Sequence, residues 1–450
     1  MRVLTLGINY WPEQTGIAVF TTGRCEYLAA RGHQVTVCTA MPYYPDWRVA
    51  DGYHDRLVIT EQREGVTIKR ARIYVPNPVT SARRILHEAS FITASFLRAM
   101  WGSRPDIILA VSPPLGLALS ALILSRLWRV PYIFHVADLQ PDAAIDLGML
   151  PSGRLANFLY GLEKVAYRKA ARVSTLTEAM RNRIVAKGIR KDKVTLFSDW
   201  AEPALFELPL SGGGSSFRQN YDLSDRFLVV HAGNMGVKQG LDVVLGAALL
   251  AQSSCPGMLF LLVGDGAMRA ELQEAARLKS LNNVRFQPLM PTTLFQEMLA
   301  ASDVCLVTQR KSVADIVFPS KVLTLLAAGR PVVASLSRSS EVARIIDEAC
   351  AGVITEAENS KALLDGLLDL QAHPEKGAAM SERGRTYARE HWDKERALKH
   401  LEATMLATLK QPPRQGNDAA PARANPVSDN ATFGIGQSKE EAAYGRGRAQ

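Results

Sequence analysis

Short runs of aliphatic and β-branched residues alternate with longer stretches of helical periodicity along most of this chain, and they do so in two separate series. The first runs from "MRVLTLG" through "HQVTVCTA", "TIKRARI", "DIILAVS" and "YIFHVA" to "RVSTLT", with helical patterns between them, as at 116–128 and 154–170. The second begins at "FLVVHAG" and continues with "GMLFLLVGDG", "NVRFQPLM", "DVCLVT", "PVVAS" and "AGVIT". Strands that alternate with helices imply a parallel sheet, because parallel strands need crossover connections. The pattern predicts an α/β protein of two Rossmann-like, doubly wound parallel-sheet domains facing across a cleft, in keeping with a chain of 450 residues, too long for one ordinary core.

The stretch "LPLSGGGSSFRQN" interrupts the pattern with glycines, serines and a proline and reads as a flexible linker. The expected organisation is an N-terminal domain over 1–205, a linker over 206–222, a C-terminal domain over 223–380, and further helices over 381–410. Residues 411–450, poor in large apolar side chains, read as a disordered tail. The five cysteines are scattered through apolar surroundings and read as buried thiols. No apolar run reaches the roughly 18 residues of a membrane span, and the first residues lack a signal-peptide pattern, so a cytoplasmic protein is expected. The net charge of +9 is uneven: residues 1–200 carry 26 Lys and Arg against 16 Asp and Glu, which suggests an anionic partner for the N-terminal half.

In open α/β sheets ligands lie at the carboxyl ends of strands, so the strand-to-helix loops are where chemistry is expected. In "NYWPEQTGIAVFT" Gly16 precedes a helix N-terminus, whose free N–H groups suit an anion; a plain turn explains the loop equally well. In "YIFHVADLQPDAAIDLG" a strand end delivers His135, followed by Asp138, Asp142 and Asp146, a set able to hold a sugar hydroxyl. In "HAGNMGVKQGLD" Gly233, Asn234, Gly236, Lys238 and Gln239 lie between a buried strand and a helix. In "SVADIVFPSKVLTLLAAGRPVV" Asp315, Ser320 and Lys321 stand at the start of a helix stopped by Gly329. No Asp/His cluster has metal-ligand spacing, so neither a metal nor another cofactor is expected, and Lys238, Lys321 and a helix dipole are left to stabilise a negatively charged leaving group.

With these loops in this order the chain resembles the retaining glycosyltransferases of family 4, which have the GT-B fold. It looks closest to the branch containing the fucosyltransferase of colanic-acid synthesis and related capsule and O-antigen enzymes. The carrying stretches are "GINYWPEQTGIAVF", "AARGHQVTV", "PYYPDWRV", "GNMGVKQGLD", "VGDGAMRAELQ", "NVRFQPLMP" and "FPSKVLTLLAAGRPVV", and they cover residues 1 to roughly 400. The resemblance implies a nucleotide-diphosphate sugar on the C-terminal domain and the acceptor on the N-terminal one. It would put Gly16 near the donor phosphate or the acceptor and His135 on the transferred sugar, with Asp138 and Asp142 on the acceptor side. Gly233, Asn234, Gly236 and Lys238 would meet the diphosphate, and Gly264, Gly266 and the loop at Pro288 would border the nucleoside. This chain departs from the family in having Asn234 for an arginine, Gln239 for a lysine and Thr324 for the ribose-binding glutamate, with Asp315 as a stand-in for the first acid. The resemblance also implies front-face attack, so no side-chain nucleophile is assigned.

The stretch "SARRILHEASFITASFLRAMWGSRP" places aromatic and aliphatic residues beside Arg83, Arg84 and Arg98 and reads equally as an interfacial helix or as a crossover helix on the sheet. Because related enzymes extend lipid-diphosphate-linked sugars, the basic excess fits a polyprenyl-diphosphate or oligosaccharide acceptor and peripheral contact with the inner membrane face. No nucleic-acid-reading motif is present. An oxidoreductase is disfavoured because "GINYWPEQTG" lacks the G-x-G-x-x-G fingerprint. A nucleotide-sugar epimerase of the same fold, or a catalytically silent partner of a polysaccharide assembly, remain the alternatives.

Overall fold

The computed structural model describes residues 1–14, 16–146, 153–210, 212–313 and 321–410. Among them the central parallel strands are apolar on both faces, as sheets sandwiched between helices require; Ile107–Ser112 and Met258–Val263, for example, are buried at every residue. The first sheet holds β1 (Arg2–Leu6), β2 (Gln34–Ala40), β3 (Val58–Arg63), β4 (Val66–Ala71), β5 (Ile107–Ser112), β6 (Tyr132–Val136), β7 (Arg172–Thr175) and β8 (Val194–Leu196), in the order β3-β4-β2-β1-β5-β6-β7-β8. The second holds β9 (Phe227–Ala232), β10 (Met258–Val263), β11 (Val284–Gln287), β12 (Val304–Thr308), β13 (Val332–Ser335) and β14 (Gly352–Thr355), in the order β11-β10-β9-β12-β13-β14. Every pairing is parallel except β3 with β4.

Helices cover both faces of each sheet. In the first half they are α1 (Ile17–Ala30), α2 (Ser81–Met100), α3 (Leu117–Trp128), α4 (Gln140–Asp146), α5 (Arg154–Lys169) and α6 (Glu178–Ala186). In the second they are α7 (Ser215–Asn220), α8 (Asp242–Ser254), α9 (Arg269–Leu278), α10 (Thr292–Ala301), α11 (Lys321–Ala327), α12 (Glu341–Glu348) and α13 (Ser360–Ala372). Two more close the chain, α14 (Pro374–His391) and α15 (Lys394–Lys410).

In both sheets the strand order reverses beside the first strand, between β1 and β5 and between β9 and β12. At such a switch point adjacent loops leave in opposite directions and open a crevice at the carboxyl edge. The loops after β1 and β9 both sit there. The two carboxyl edges meet: the backbone N–H of Ala179, in the first turn of α6, donates to Glu341 Oε2 at the start of α12 (3.3 Å), and α4 lies against the turn Lys311–Val313.

Three features differ from the sequence reading. β3 is antiparallel, joined to β4 by Glu64 and Gly65, both at positive φ, which is the backbone of a two-residue hairpin turn. The Gly-Ser stretch is not a free tether where it is described. Gly213 packs on Pro209 and Ala300, Gly214 lies against the Ala301 backbone, and α7 begins at once. The last helices divide between the halves. α14 packs on α11, with Arg385 donating to Leu208 O and Ala328 O, whereas α15 returns to the first half, where Leu398, Leu401 and Met405 join Cys25 and Leu28 and Glu402 accepts from His33 Nε2 (2.8 Å).

Beneath the first sheet Arg24 of α1 donates to Asp199 Oδ1 (2.8 Å) and to Phe197 O (3.3 Å), beside the ring of Trp200. Both side chains are almost wholly buried. Removing one member of such a pair strands the other charge in the interior, so Asp199→Ala should cost on the order of 3–5 kcal/mol of stability in urea unfolding. A cost under about 1 kcal/mol would show that the guanidinium finds water or another partner.

Candidate active site

The loop after β9 is built around close approach. Gly233 N–H donates to Val263 O (2.9 Å), Met235 N–H to Asp265 O (2.8 Å), and Met268 N–H to Met235 O (2.9 Å), so the loops after β9 and β10 are sewn together. A Cβ on Gly264 would lie 2.0 Å from Gly233 O, and one on Gly266 2.4 Å from Asn234 Oδ1. Any side chain at either position would push the loops apart. Gly264 is thus buried in the seam, and Asn234 is exposed on it.

Beyond Gly236 the chain makes a short turn over Val237–Gln239 before α8. Gln239 Oε1 accepts from Gly236 N–H (3.1 Å), which braces the loop from within. Arg310 braces the same turn from the end of β12: its backbone N–H donates to Lys238 O (2.9 Å) and its Nε to Val237 O (3.0 Å), while its guanidinium pairs with Asp242 and Glu358. The Lys238 ammonium, half-buried, has no ion-pair partner among the described residues.

Lys321, at the start of α11, points back to this loop. Its Nζ lies 3.5 Å from His231 Nδ1, and a Cβ built on Gly233 would sit 3.8 Å from both its Cε and Nζ. Among the described residues no carboxylate pairs with it. Burial pulls its pKa down to about 7, opposed only weakly by the Cys305 thiol. His231, the polar residue near the end of β9, is held well below the ordinary histidine range, first by burial and then by the Lys321 charge, so its ring is neutral. Its Nε2 is buried without a hydrogen-bond partner, and the Asn234 backbone works against the downward shift. Two basic groups thus face each other beside the glycine loop, an arrangement that favours an incoming anion. Thr324 lies one turn further along α11, half-buried, and Pro288 is exposed just after β11. Asp315 and Ser320 lie outside the described residues.

The first half meets the expectations unevenly. Gly16, exposed and at positive φ, caps α1 at the β1 switch point. In the same loop Glu13, which the sequence reading passed over, is buried and accepts from Asn9 Nδ2 (2.9 Å), Tyr43 N–H (2.9 Å) and Tyr44 N–H (2.8 Å), so it ties the loop after β1 to the one after β2. Its pKa is raised by burial, against those hydrogen bonds. Asp138, half-buried just past β6, has no side-chain partner among the described residues and is open to a ligand.

His135 and Asp142 take other positions. His135 is 1% exposed: Nδ1 meets Ser174 Oγ (3.0 Å), the ring lies 6.0 Å from that of Phe197, and Nε2 is buried without a partner. Burial, and secondarily Arg24, keep it neutral. A ring sealed within the sheet cannot touch a sugar, so His135 is a packing residue here. Asp142 forms an ion pair with Lys187, which also bridges to Glu163 Oε1 and Oε2 (both 2.8 Å), and Tyr160 OH donates to the Asp142 carboxylate (3.4 Å). That carboxylate is already occupied and gives α4 its anchor. Among the described residues no three His, Cys, Asp or Glu side chains converge on a point that would hold a metal ion.

Two doubly wound sheets with apposed carboxyl edges, each with a loop at its switch point, place a candidate site where those edges meet. Residues 15–200 match the family model of a glycosyl transferase 4-like domain and residues 226–373 that of glycosyl transferases group 1. The putative colanic acid biosynthesis glycosyl transferase WcaI of Escherichia coli K12 is 32% identical over 408 residues, which span 89% of this chain and 98% of the relative. The probable glycosyltransferase WbjE of Pseudomonas aeruginosa is 25% identical over 261 residues, 55% of this chain and 62% of the relative. The chain belongs to this glycosyltransferase family and is a glycosyltransferase. Among solved structures, Anabaena Alr3699/HepE in complex with UDP and glucose superposes with a TM-score of 0.66 at 18% identity, covering 90% of this chain and all of the other. Sucrose-phosphate synthase from Thermosynechococcus elongatus gives 0.68 at 15%, covering 90% and 98%.

A diphosphate arriving beside Lys321 should raise its pKa. Calorimetry of UDP and GDP binding in buffers of different ionisation enthalpy should therefore show uptake approaching about one proton at pH 8, where the free amine is mostly neutral, and little at pH 6, where it is already charged. Lys321→Met should remove the uptake. Binding at pH 8 without uptake would place the diphosphate elsewhere.

Proposed function

We propose that the chain transfers a sugar, with retention of anomeric configuration, from a nucleoside-diphosphate donor seated on the second domain to a polyprenyl-diphosphate-linked saccharide held on the first. The observation that carries the reading is the seam of Gly233, Gly264 and Gly266 with Lys321 half-buried beside it and, among the described residues, without a counter-charge. The product class follows the relative described as acting in colanic acid biosynthesis, so assembly of an extracellular polysaccharide is the inferred setting. The donor class is supported by neighbours of the same fold that were solved with UDP and glucose or with UDP-2-fluoro glucose.

In this scheme the glycines admit the diphosphate to the main chain, and Lys321 and Lys238 carry its charge. The bond from the anomeric carbon to the diphosphate oxygen breaks. The acceptor hydroxyl oxygen bonds to that carbon on the face the diphosphate leaves, and the hydroxyl proton passes to the departing phosphate oxygen. Protein side chains need supply neither a nucleophile nor a base for that proton, in keeping with the sealed ring of His135. Asp138, just past β6 and without a side-chain partner among the described residues, is the group assigned to orient the acceptor hydroxyl. Charge neutralisation by Lys321 strengthens as the bond breaks, because negative charge grows on the phosphate oxygen nearest it.

A thermal-shift screen against UDP, GDP, dTDP, CMP and NAD should show stabilisation by a nucleoside diphosphate that is lost in Lys238→Ala. In transfer assays Lys238→Ala and Lys321→Ala should each lower turnover by about a hundredfold or more, the range seen when a preorganised charge-stabilising group is removed. Unchanged turnover in both variants, or stabilisation by NAD alone, would contradict the assignment.

A further inference from the structure

Three helices lie side by side on one face of the first sheet, with α3 between α2 and α5. Their inner sides are ordinary core: Phe91, Leu117, Leu124 and Tyr167 pack together there. A helix covering a sheet should turn charge outward. These three do not.

On α2 the residues outward of that core, Leu86, Ala89, Thr93 and Leu97, recur at helical spacing and lead to Trp101, which is 85% exposed. The outward positions of α3 are Leu119, Ile123 and Leu127, and those of α5 include Leu155 and Phe158, the latter 66% exposed. Neither an interfacial helix nor a crossover helix alone describes α2, because it is apolar on both sides. The exposed charges of this face are cationic. Arg126 and Arg129 end α3, and Lys164 and Lys169 lie on α5, all exposed and none paired with an acid among the described residues. The acids these helices carry are occupied: Glu163 is buried under Lys187, and Glu88 is held by Arg84 and Gln140.

We propose that the α2–α3–α5 face docks on an anionic phospholipid bilayer. The apolar rows would enter the headgroup boundary while the arginines and lysines meet lipid phosphates, the division of labour that holds amphipathic surfaces to membranes. A second copy of the chain fits less well. A two-fold contact would bring the same cations together with no unpaired exposed acid of these helices, among the described residues, to meet them. Among the described residues no helix is long and apolar enough to cross a membrane, so the contact is peripheral. The surface is argued independently of the donor seat, and its failure would leave the transfer reaction standing.

The test is flotation of the full chain with phosphatidylcholine vesicles and with vesicles containing phosphatidylglycerol. The protein should float with the anionic vesicles, roughly tenfold less with the neutral ones, and less as salt rises. Two variants separate the components: Leu97→Ser with Ile123→Ser and Phe158→Ser, and Arg126→Ser with Arg129→Ser and Lys164→Ser. Each should lose flotation while keeping the wild-type thermal midpoint, because all six side chains are exposed. Wild-type protein that stays in solution with anionic vesicles would overturn the proposal, as would either folded variant floating like wild type. A dimer that dissociates in the apolar variant, with no vesicle binding by the wild type, would overturn it in favour of self-association.

Discussion

An ammonium drawn partly out of water with no carboxylate beside it is costly, and the second domain keeps one half-buried against its glycine loop. Lys321 is placed by α11 against the Gly233 loop and the neutral ring of His231, and nothing of opposite charge among the described residues relieves it. A protein selected for stability alone would pair or replace such a lysine, and an anion bound beside it would supply the missing counter-charge. The surrounding architecture holds the loop in place. The seam of Gly264 and Gly266 against Gly233 and Asn234 fixes the loop, and Arg310 and Gln239 hold the turn that carries Lys238.

The two halves answer each other. Each has its ligand-facing loop at the point where strand order reverses, and α15 and the segment ending at Trp200 run between the halves. The Arg24–Asp199 pair and the Glu402 contacts anchor those connections to the first sheet, so the carboxyl edges are held face to face with Ala179 against Glu341. On the proposed function, a donor on one edge and an acceptor on the other would meet there without either domain having to build the whole site.

Much of this was legible in the sequence. The parallel strands are almost all marked by continuous apolar runs, and the tandem α/β class follows from their alternation with helices. β3 and β8 escaped notice for different reasons. β3 alternates with half-exposed Glu and Gln, and its best signal is the turn pair Glu64-Gly65, whereas β8 is only three residues long. At the candidate site Gly233, Gly264 and Gly266 could be singled out because close backbone approach needs residues without a Cβ, and Lys238 and Lys321 because they are cations placed beside strand ends. His135 and Asp142 could not be judged that way. A histidine within a strand reads alike whether its ring is sealed below the sheet or open above it, and the Asp142 partner, Lys187, is 45 residues away in the chain. His231 carried the complementary signal, a lone polar residue in "FLVVHAG", whose meaning depends on where α11 places Lys321.

The central claim is that the donor diphosphate sits on the loops after β9 and β10. Amide hydrogen exchange, recorded with and without saturating UDP, GDP and dTDP, reads those loops directly. At least one of the three should slow exchange across 233–240 and 264–268 while leaving the loop 7–14 unchanged. Protection confined to 7–14, or absent from every loop with all three nucleotides, would contradict the account.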